Sequence, residues 1–337
     1  MITAERRAGR RALGLSVGIG AVALGVLASL QFGSIPVSVT DAWEAIVDYD
    51  PDVYEQMVVR TMRVPRTVFA LVVGCGLAVA GAVMQGVTRN PMADPFLFGV
   101  SGGGALGLTI AVSIGVLYGP VQLISFAFLG ALCATVLVYV IGSGGRRGGS
   151  PVRMVLAGVI TATLMSTWSS FIVYTDSSAR ETMRHLLIGT LAGRSLDDYG
   201  ITVPFILGGV VVCILMAHQL NVLALGEDAA RSVGMKTSRV RFTLLLLTAV
   251  IAGACVAAVG PIGFVGLAVP HMVRYFTGED YRWLLVFSAI FGAALLLAAD
   301  VLGRVLLNPA ELEASIVMGM IGAPFFIWLA RRRSLSS

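Results

Sequence analysis

The sequence predicts an all-α, polytopic membrane protein of about ten transmembrane helices, and three observations carry that prediction. Of 337 residues, 57% are hydrophobic and only 13% are charged, with a mean hydropathy of +0.87. A soluble chain carries roughly a quarter charged residues, because a solvated surface requires them. Apolar runs of about 20 residues recur from one end to the other, the length a helix needs to cross roughly 30 Å of hydrocarbon. Forty glycines suit helices that approach one another closely in lipid. A soluble helical bundle would be left with too few charges to cover its surface.

The chain reads as one transmembrane unit over 1–337. Its runs fall at about 12–31, 65–88, 95–114, 119–142, 152–174, 200–219, 241–260, 262–277, 283–307 and 314–330. The first has no clear small-residue cleavage site and reads as a span rather than a signal peptide. The eighth is the weakest, being short and holding Pro270, His271 and Arg274. Charge parity argues for counting it. With ten crossings, Arg6, Arg7, Arg10 and Arg11 lie on the same side as Arg331–Arg333, and 17 of the 24 Lys and Arg residues collect there. The positive-inside rule makes that side, and both termini, cytoplasmic. The other seven are Arg60, Arg63, Arg66, Arg180, Arg184, Arg194 and Arg304, in company with acidic residues such as those of Asp41–Glu55.

The connections differ in character. Residues 34–59 and 175–199 form longer outer segments, with Thr40 placed to cap a short amphipathic helix in the first and SARETMRHLLIGTLAG dipping toward the membrane boundary in the second. GSGGRRGGSP at 142–151 is a flexible basic inner loop, and 221–238 is the one substantial cytoplasmic connection. A weaker echo links RTVFALVVGCGLAVAGAVMQG from Arg66 with RFTLLLLTAVIAGACVAAVGP from Arg241. One would enter from outside and the other from inside, the arrangement of an inverted repeat.

Few residues offer chemistry. There is no GxxxxGK[ST] phosphate loop, HExxH or GxSxG, so neither ATP hydrolysis by that route nor a catalytic residue is expected on this chain. Cys75, Cys133, Cys213 and Cys255 lie inside apolar runs without ligand spacing and read as small core residues. His185, His218 and His271 are far apart; none is expected to hold a metal, although a haem or iron ligand is left open for His185. The arginines are dispersed at the ends of apolar runs, which signals lipid orientation and not nucleic acid. Asp300 and Arg304, four apart on one helix face, read as a structural pair. Gln85 and Asn90 flank the inner end of the second span in MQGVTRNPMADP, where Asn-Pro and Asp-Pro mark a tight turn. Gln85 is either a link between helices or part of a path. The segment LALGEDAARSVGM reads as a short helix, with Gly226 before it, acidic residues in its first turn and Gly234 ending it. Such a helix is either a solvated elbow or a plug for a groove on a partner.

At these residues the chain resembles the FecCD family of ABC importer permeases. Within Arg63–Gly107 the chain reads R-x-P-R-x(7)-G-x-x-L-A-x-x-G-x-x-x-Q-x-x-x-x-N-P-x-A-x-P-x-x-x-G-x-x-x-G-G from Arg63 to Gly104, and this is joined by LGEDAARSVG at 225–234, GPIGFVGLAVPH at 260–271 and IGAPFFIW at 321–328. The resemblance covers nearly the whole chain. It implies a multi-pass subunit of the bacterial inner membrane. Its partners would be a second permease, identical or paralogous, two cytoplasmic ATPases that hold ATP and Mg, and an extracytoplasmic binding protein. The cargo implied is an iron chelate, a ferric siderophore before haem or cobalamin, and no cofactor is implied on this chain.

The resemblance also assigns residues. It makes Leu225, Gly226, Glu227, Asp228, Ala229, Ala230, Arg231 and Gly234 the coupling helix that enters a cleft of the ATPase. It makes Arg63, Arg66 and Arg304 the outer arginines that meet acidic residues of the binding protein. Asn90, Pro91 and Met92 would belong to the cytoplasmic gate, with Gln85 and Ser150 further gate or path candidates, and the second, fifth and tenth helices would line the path. The chain departs from relatives at two places. Ser150 is followed by Pro151 and Val152 where hydroxyl residues stand in relatives, and His185 replaces an aromatic. LIGTLAGRS at 187–195 is closest to siderophore permeases. A rival of another class, an ion-coupled secondary transporter, would need a buried ionisable relay, and Asp300 is nearly the only candidate.

Overall fold

The computed structural model describes residues 2–33, 35–115, 119–143, 151–176, 180, 188–307 and 310–334, and these are almost entirely helical. In chain order the helices are α1 (Ile2–Gln31), α2 (Val39–Val47), α3 (Tyr54–Val58), α4 (Val64–Thr88), α5 (Val100–Ser113), α6 (Pro120–Ser143) and α7 (Pro151–Thr175). They continue as α8 (Leu196–Tyr199), α9 (Thr202–Leu215), α10 (Ala217–Ala224), α11 (Glu227–Ser232), α12 (Thr237–Val259), α13 (Val265–Thr277), α14 (Tyr281–Leu306) and α15 (Ala314–Ser334). Helices α1, α4, α6, α7, α12 and α14 are long and apolar enough to cross a membrane. The protein is an all-α polytopic membrane protein.

Helix α4 is the axle of the bundle, packed against α9, α12, α13 and α14. Its residues are small, and that closeness is enforced at two points. A Cβ on Gly74 would overlap the Gly292 carbonyl of α14, and one on Gly81 would overlap the Gly266 carbonyl of α13. Any larger residue would push those helices apart. By contrast α1 and α7 turn most of their apolar side chains outward, among them Leu24, Ile160, Trp168 and Phe171. Cys133 is exposed on α6 and is not a core residue, whereas Cys213 and Cys255 are buried.

Several elements differ from the sequence reading, each for a local reason. The capping residue of α2 is Ser38, not Thr40: Ser38 Oγ accepts the Asp41 N–H at 3.1 Å, which starts the helix one residue before Thr40. Helices α3 and α4 are continuous through a π-type turn at Val59–Arg63, whose wider ladder accommodates Pro65 just inside α4. The expected span 95–114 is split: Asp94 caps a 3-10 turn at Pro95–Phe98, and Gly99 at φ 78° separates it from α5. The expected span 200–219 bends by 56° between α9 and α10. In place of 262–277 stands α13, only 13 residues long, entered from Phe264 at φ 69°. At 1.5 Å per residue it is about 20 Å long, shorter than the hydrocarbon core.

The bundle has two chemically distinct ends. One carries Arg10, Arg11, Arg89, Arg274, Arg282 and the cations of 231–241, and is called here the basic end. There Arg10 and Arg11 lie over the rings of Tyr275 and Trp283, at 5.6 and 4.8 Å from the centroids. The opposite end joins the end of α1, the starts of α4 and α15, and the 259–262, 303–307 and 310–313 segments. Its backbone links include Thr190 N–H to Val259 O and Leu312 N–H to Gly303 O. Helices α4 and α12, which hold the sequence echo, pack side by side and run in opposite directions between these ends.

Candidate functional site

At the basic end, α11 is a six-residue helix beginning after Gly226, whose φ of 119° suits glycine, and followed by Gly234 at φ 79°. Glu227 in its first turn meets Arg231 at 2.7 Å and lies 3.8 Å from Arg241 on α12, which ties the helix to the bundle. Ala230 is buried under it, while Asp228, Ala229 and Arg231 face outward. Leu225 and Val233, apolar and 76% and 69% exposed, flank it on either side. A short, anchored helix with an exposed apolar rim is a shape suited to a groove on another protein.

The predicted gate residues divide. Gln85 is buried and acts as a link: its Oε1 accepts from Arg274 Nη1 at 2.8 Å, and its Nε2 lies 3.4 Å from the Gly266 and Leu267 carbonyls. It therefore joins α4 to α13. Asn90 shapes the turn that follows α4, its Oδ1 accepting the Met92 N–H at 3.0 Å. The residue before Asn90, Arg89, takes the left-handed conformation at φ 49°. Pro91 lines a cavity at this end, and Met92 is exposed. Ser150 and His185 lie outside the described residues, as do Arg184 and most of the 178–193 stretch.

Nearby, Asn221 on α10 connects to the start of α14. Its Nδ2 donates to Asp280 Oδ1 at 2.8 Å, and its Oδ1 accepts the Tyr281 N–H at 2.9 Å. Asp94, between α4 and α5, is buried and accepts the Phe96 N–H at 2.8 Å. Burial pushes its carboxyl up to about 6, and that hydrogen bond opposes only part of the shift. Nothing in the local sequence marks Asn221 or Arg274 as connected to these partners, whereas the Asp94-Pro95 pair marks the turn that Asp94 caps.

At the opposite end the three predicted docking arginines are gathered together but are not displayed. Arg63 is 5% exposed and donates to Leu30 O at 2.6 Å, to Gln31 O at 2.8 Å and to Ile35 O. Arg304 is 2% exposed and donates to Ser29 O at 2.8 Å, to Ser29 Oγ at 3.1 Å and to the Asp300 carboxylate. These two guanidiniums take up the carbonyls that α1 leaves unpaired at its C-terminus. The expectation of three outward-facing arginines is corrected accordingly, because two of them fasten α1 to α4 and α14. Arg66 grips Asp300 at 2.9 Å and reaches the surface through Glu311 at 2.6 Å. The exposed arginine in this region is Arg60, whose guanidinium lies 4.5 Å from the Tyr49 ring centroid. The paired reading of Asp300 and Arg304 agrees with this geometry. Among the described residues no cluster of three His, Cys, Asp or Glu side chains could hold a metal.

Comparisons with known proteins fit this architecture. The model of the FecCD transport family matches residues 21–332. The chain is 36% identical over 330 residues to the Fe(3+)-citrate import system permease protein of Bacillus subtilis (strain 168), covering 98% of each chain. It is 38% identical over 278 residues to the ferric enterobactin transport system permease protein of Escherichia coli (strain K12), covering 82% of this chain and 83% of that one. Among solved structures, one described as a metal-chelate type ABC transporter in an inward-facing conformation superposes with a TM-score of 0.83 at 28% identity, over 95% of this chain and 99% of that one.

Proposed function

We propose, since the chain belongs to the FecCD transport family, that it is the permease subunit of an ATP-driven importer that passes an iron chelate, a ferric siderophore first, across the bacterial inner membrane. The observation that carries this reading is the family match over 21–332, which includes α11, the Gln85–Met92 turn and the arginines at the opposite end. The permease relatives named above act on ferric citrate and ferric enterobactin, which favours an iron chelate as cargo.

In this reading the basic end is cytoplasmic and both termini lie there, in keeping with the excess of Lys and Arg. Helix α11 and its rim, Leu225 and Val233, sit in a cleft of a cytoplasmic ATPase, one for each of two permease subunits. ATP and Mg are held by that partner, and this chain performs no covalent chemistry. Closing of the ATPase pair moves α11, and the fixed links from α11 to α12 and from Gln85 to Arg274 convey the movement into the bundle. The chelate travels between two permeases, identical or paralogous, along surfaces that include α4, α7 and α15. The turn Asn90–Met92 narrows the path on the cytoplasmic side.

An extracytoplasmic binding protein docks at the opposite end. The cations that can meet its acidic residues are the Arg66 edge beside Glu311 and the exposed Arg60, with Arg63 and Arg304 supporting that surface from below. Such charge pairing sets register and encounter rate more than affinity.

The test is reconstitution in proteoliposomes with the candidate ATPase and binding protein. ATPase stimulation is measured against a panel of ferric siderophores, haem and cobalamin. Stimulation by a ferric siderophore, with uptake of its iron, is expected. Stimulation by haem or cobalamin alone would move the cargo to that class, and silence across the panel with an intact complex would overturn the chelate reading.

A further inference from the structure

A cavity of about 580 Å³ opens at the basic end between the close of α4, the end of α10, and the α13–α14 junction. Its wall is dominated by hydrogen-bond donors. Arg274 lies on one side, held by Gln85 Oε1 at 2.8 Å and by Glu279 at 3.2 Å. Tyr281 lines the cavity as well. His271 and Tyr275 complete that side. Arg89 also lines the cavity, and its guanidinium has no hydrogen-bond or ion-pair partner among the described residues.

The backbone makes Arg89 informative. It closes α4 in the left-handed conformation, φ 49°, a position that glycine or asparagine fills with least strain. A cation one residue earlier would complement the helix C-terminus equally well without that strain. Where it stands, the side chain lines the same cavity as Arg274. The two guanidiniums outnumber the one carboxylate of the lining, Glu279, which is mostly exposed. Beside the mouth, Arg10 rests on Tyr275 and Arg11 on Trp283, the mixture of cations and amphipathic rings found at the level of lipid headgroups.

We propose that this cavity is a binding site for a phosphate group, held between Arg89 and Arg274 with the Tyr281 phenol and His271 beside it. Two planar guanidiniums facing one space suit the paired oxygens of a phosphate better than a single carboxylate would. The group comes from an anionic lipid headgroup or from free phosphate, and a basic pocket between helices at a membrane face is known to suit the former.

The full-length chain, purified in detergent, supplies the test. One arm measures retention of phosphatidylglycerol against phosphatidylcholine by native mass spectrometry. The other measures inorganic phosphate by titration calorimetry. R89Q removes the unpaired cation without breaking any recorded contact, and R239Q, an exposed cation elsewhere at the same end, is the control. One tightly retained phosphatidylglycerol, weakened about tenfold in R89Q and unchanged in R239Q, is expected for a headgroup site. Saturable phosphate binding with the same dependence on Arg89 and no lipid preference assigns the site to free phosphate. If neither probe binds, or if R89Q and R239Q weaken binding equally, the proposal fails.

Discussion

The Asp300 carboxylate on α14 is gripped by Arg66 on α4, 234 residues earlier, at 2.9 Å, as well as by Arg304 one turn along its own helix. Asp300 is fully buried, so its charge depends on both guanidiniums. Removing one partner of a buried ion pair commonly costs about 3 kcal/mol or more, since the other charges remain in a poor solvent. D300N is therefore expected to lower the thermal midpoint of the detergent-purified chain by several degrees. An ion-coupled transporter would behave differently, with D300N keeping its stability and losing uptake. Unfolding followed by fluorescence, set beside an uptake assay, separates the two.

Gly81 and Gly266 set the distance between α4 and α13. G81A places a methyl group into the Gly266 carbonyl and is expected to destabilise the bundle by about 2 kcal/mol, the usual cost of overpacking. Gly208 on α9 has open space around its would-be Cβ, so G208A should be neutral or slightly stabilising. Equal midpoints for the two variants would show that the close approach at Gly81 carries no constraint.

The Gln85–Arg274 hydrogen bond joins α4 to α13 next to the Asn90 turn. Hydrogen bonds to a charged group contribute about 1.5–3 kcal/mol. In a double-mutant cycle of Q85M and R274M, the second change should cost at least about 1 kcal/mol less in the presence of the first. Strict additivity in chemical or thermal unfolding would indicate that the two side chains act independently.

Leu225 and Val233 are exposed at the rim of α11 and contribute little to the isolated chain. L225D and V233D should each leave its stability within about 0.5 kcal/mol. In the reconstituted system they are expected to abolish stimulation of the partner ATPase, because a carboxylate would be buried in the docking groove. Full stimulation by both variants would remove α11 from the coupling role.

Much of this fold was legible because its signals are local. Long apolar runs gave α4, α6, α7, α12 and α14, and the four-residue spacing of Asp300 and Arg304 gave their pairing. Glycines at 226 and 234 bounded α11. The breaks were hidden where tertiary packing sets them: Phe264 takes a positive φ at the entry to α13, and α9 bends at Met216 without a proline. The site partners were hidden by distance along the chain, as with Gln85 and Arg274, 189 residues apart. Charge counting placed Arg63 and Arg304 on the outer side, and only the family resemblance made them docking cations. A guanidinium that caps the end of another helix looks the same in sequence as one facing solvent.

Asp94 should make stability depend on pH. Its carboxyl titrates near 6 in the folded chain because it is buried, with the Phe96 N–H offsetting part of that effect. In the unfolded chain an aspartate titrates near 3.9. Between about pH 4 and pH 6 the unfolded state therefore loses its proton while the folded state keeps it. Stability falls as pH rises through that window and levels off above it, by up to about 3 kcal/mol for a shift of this size. D94N retains the oxygen that accepts from Phe96 and cannot ionise, so it should nearly equal the wild type near pH 3.5 and exceed it near pH 7.5. Midpoints of both proteins at the two pH values check this, since contributions from other groups cancel in the difference. A D94N curve parallel to the wild type across the window would show that the Asp94 carboxyl is not the group whose ionisation weakens the turn between α4 and α5.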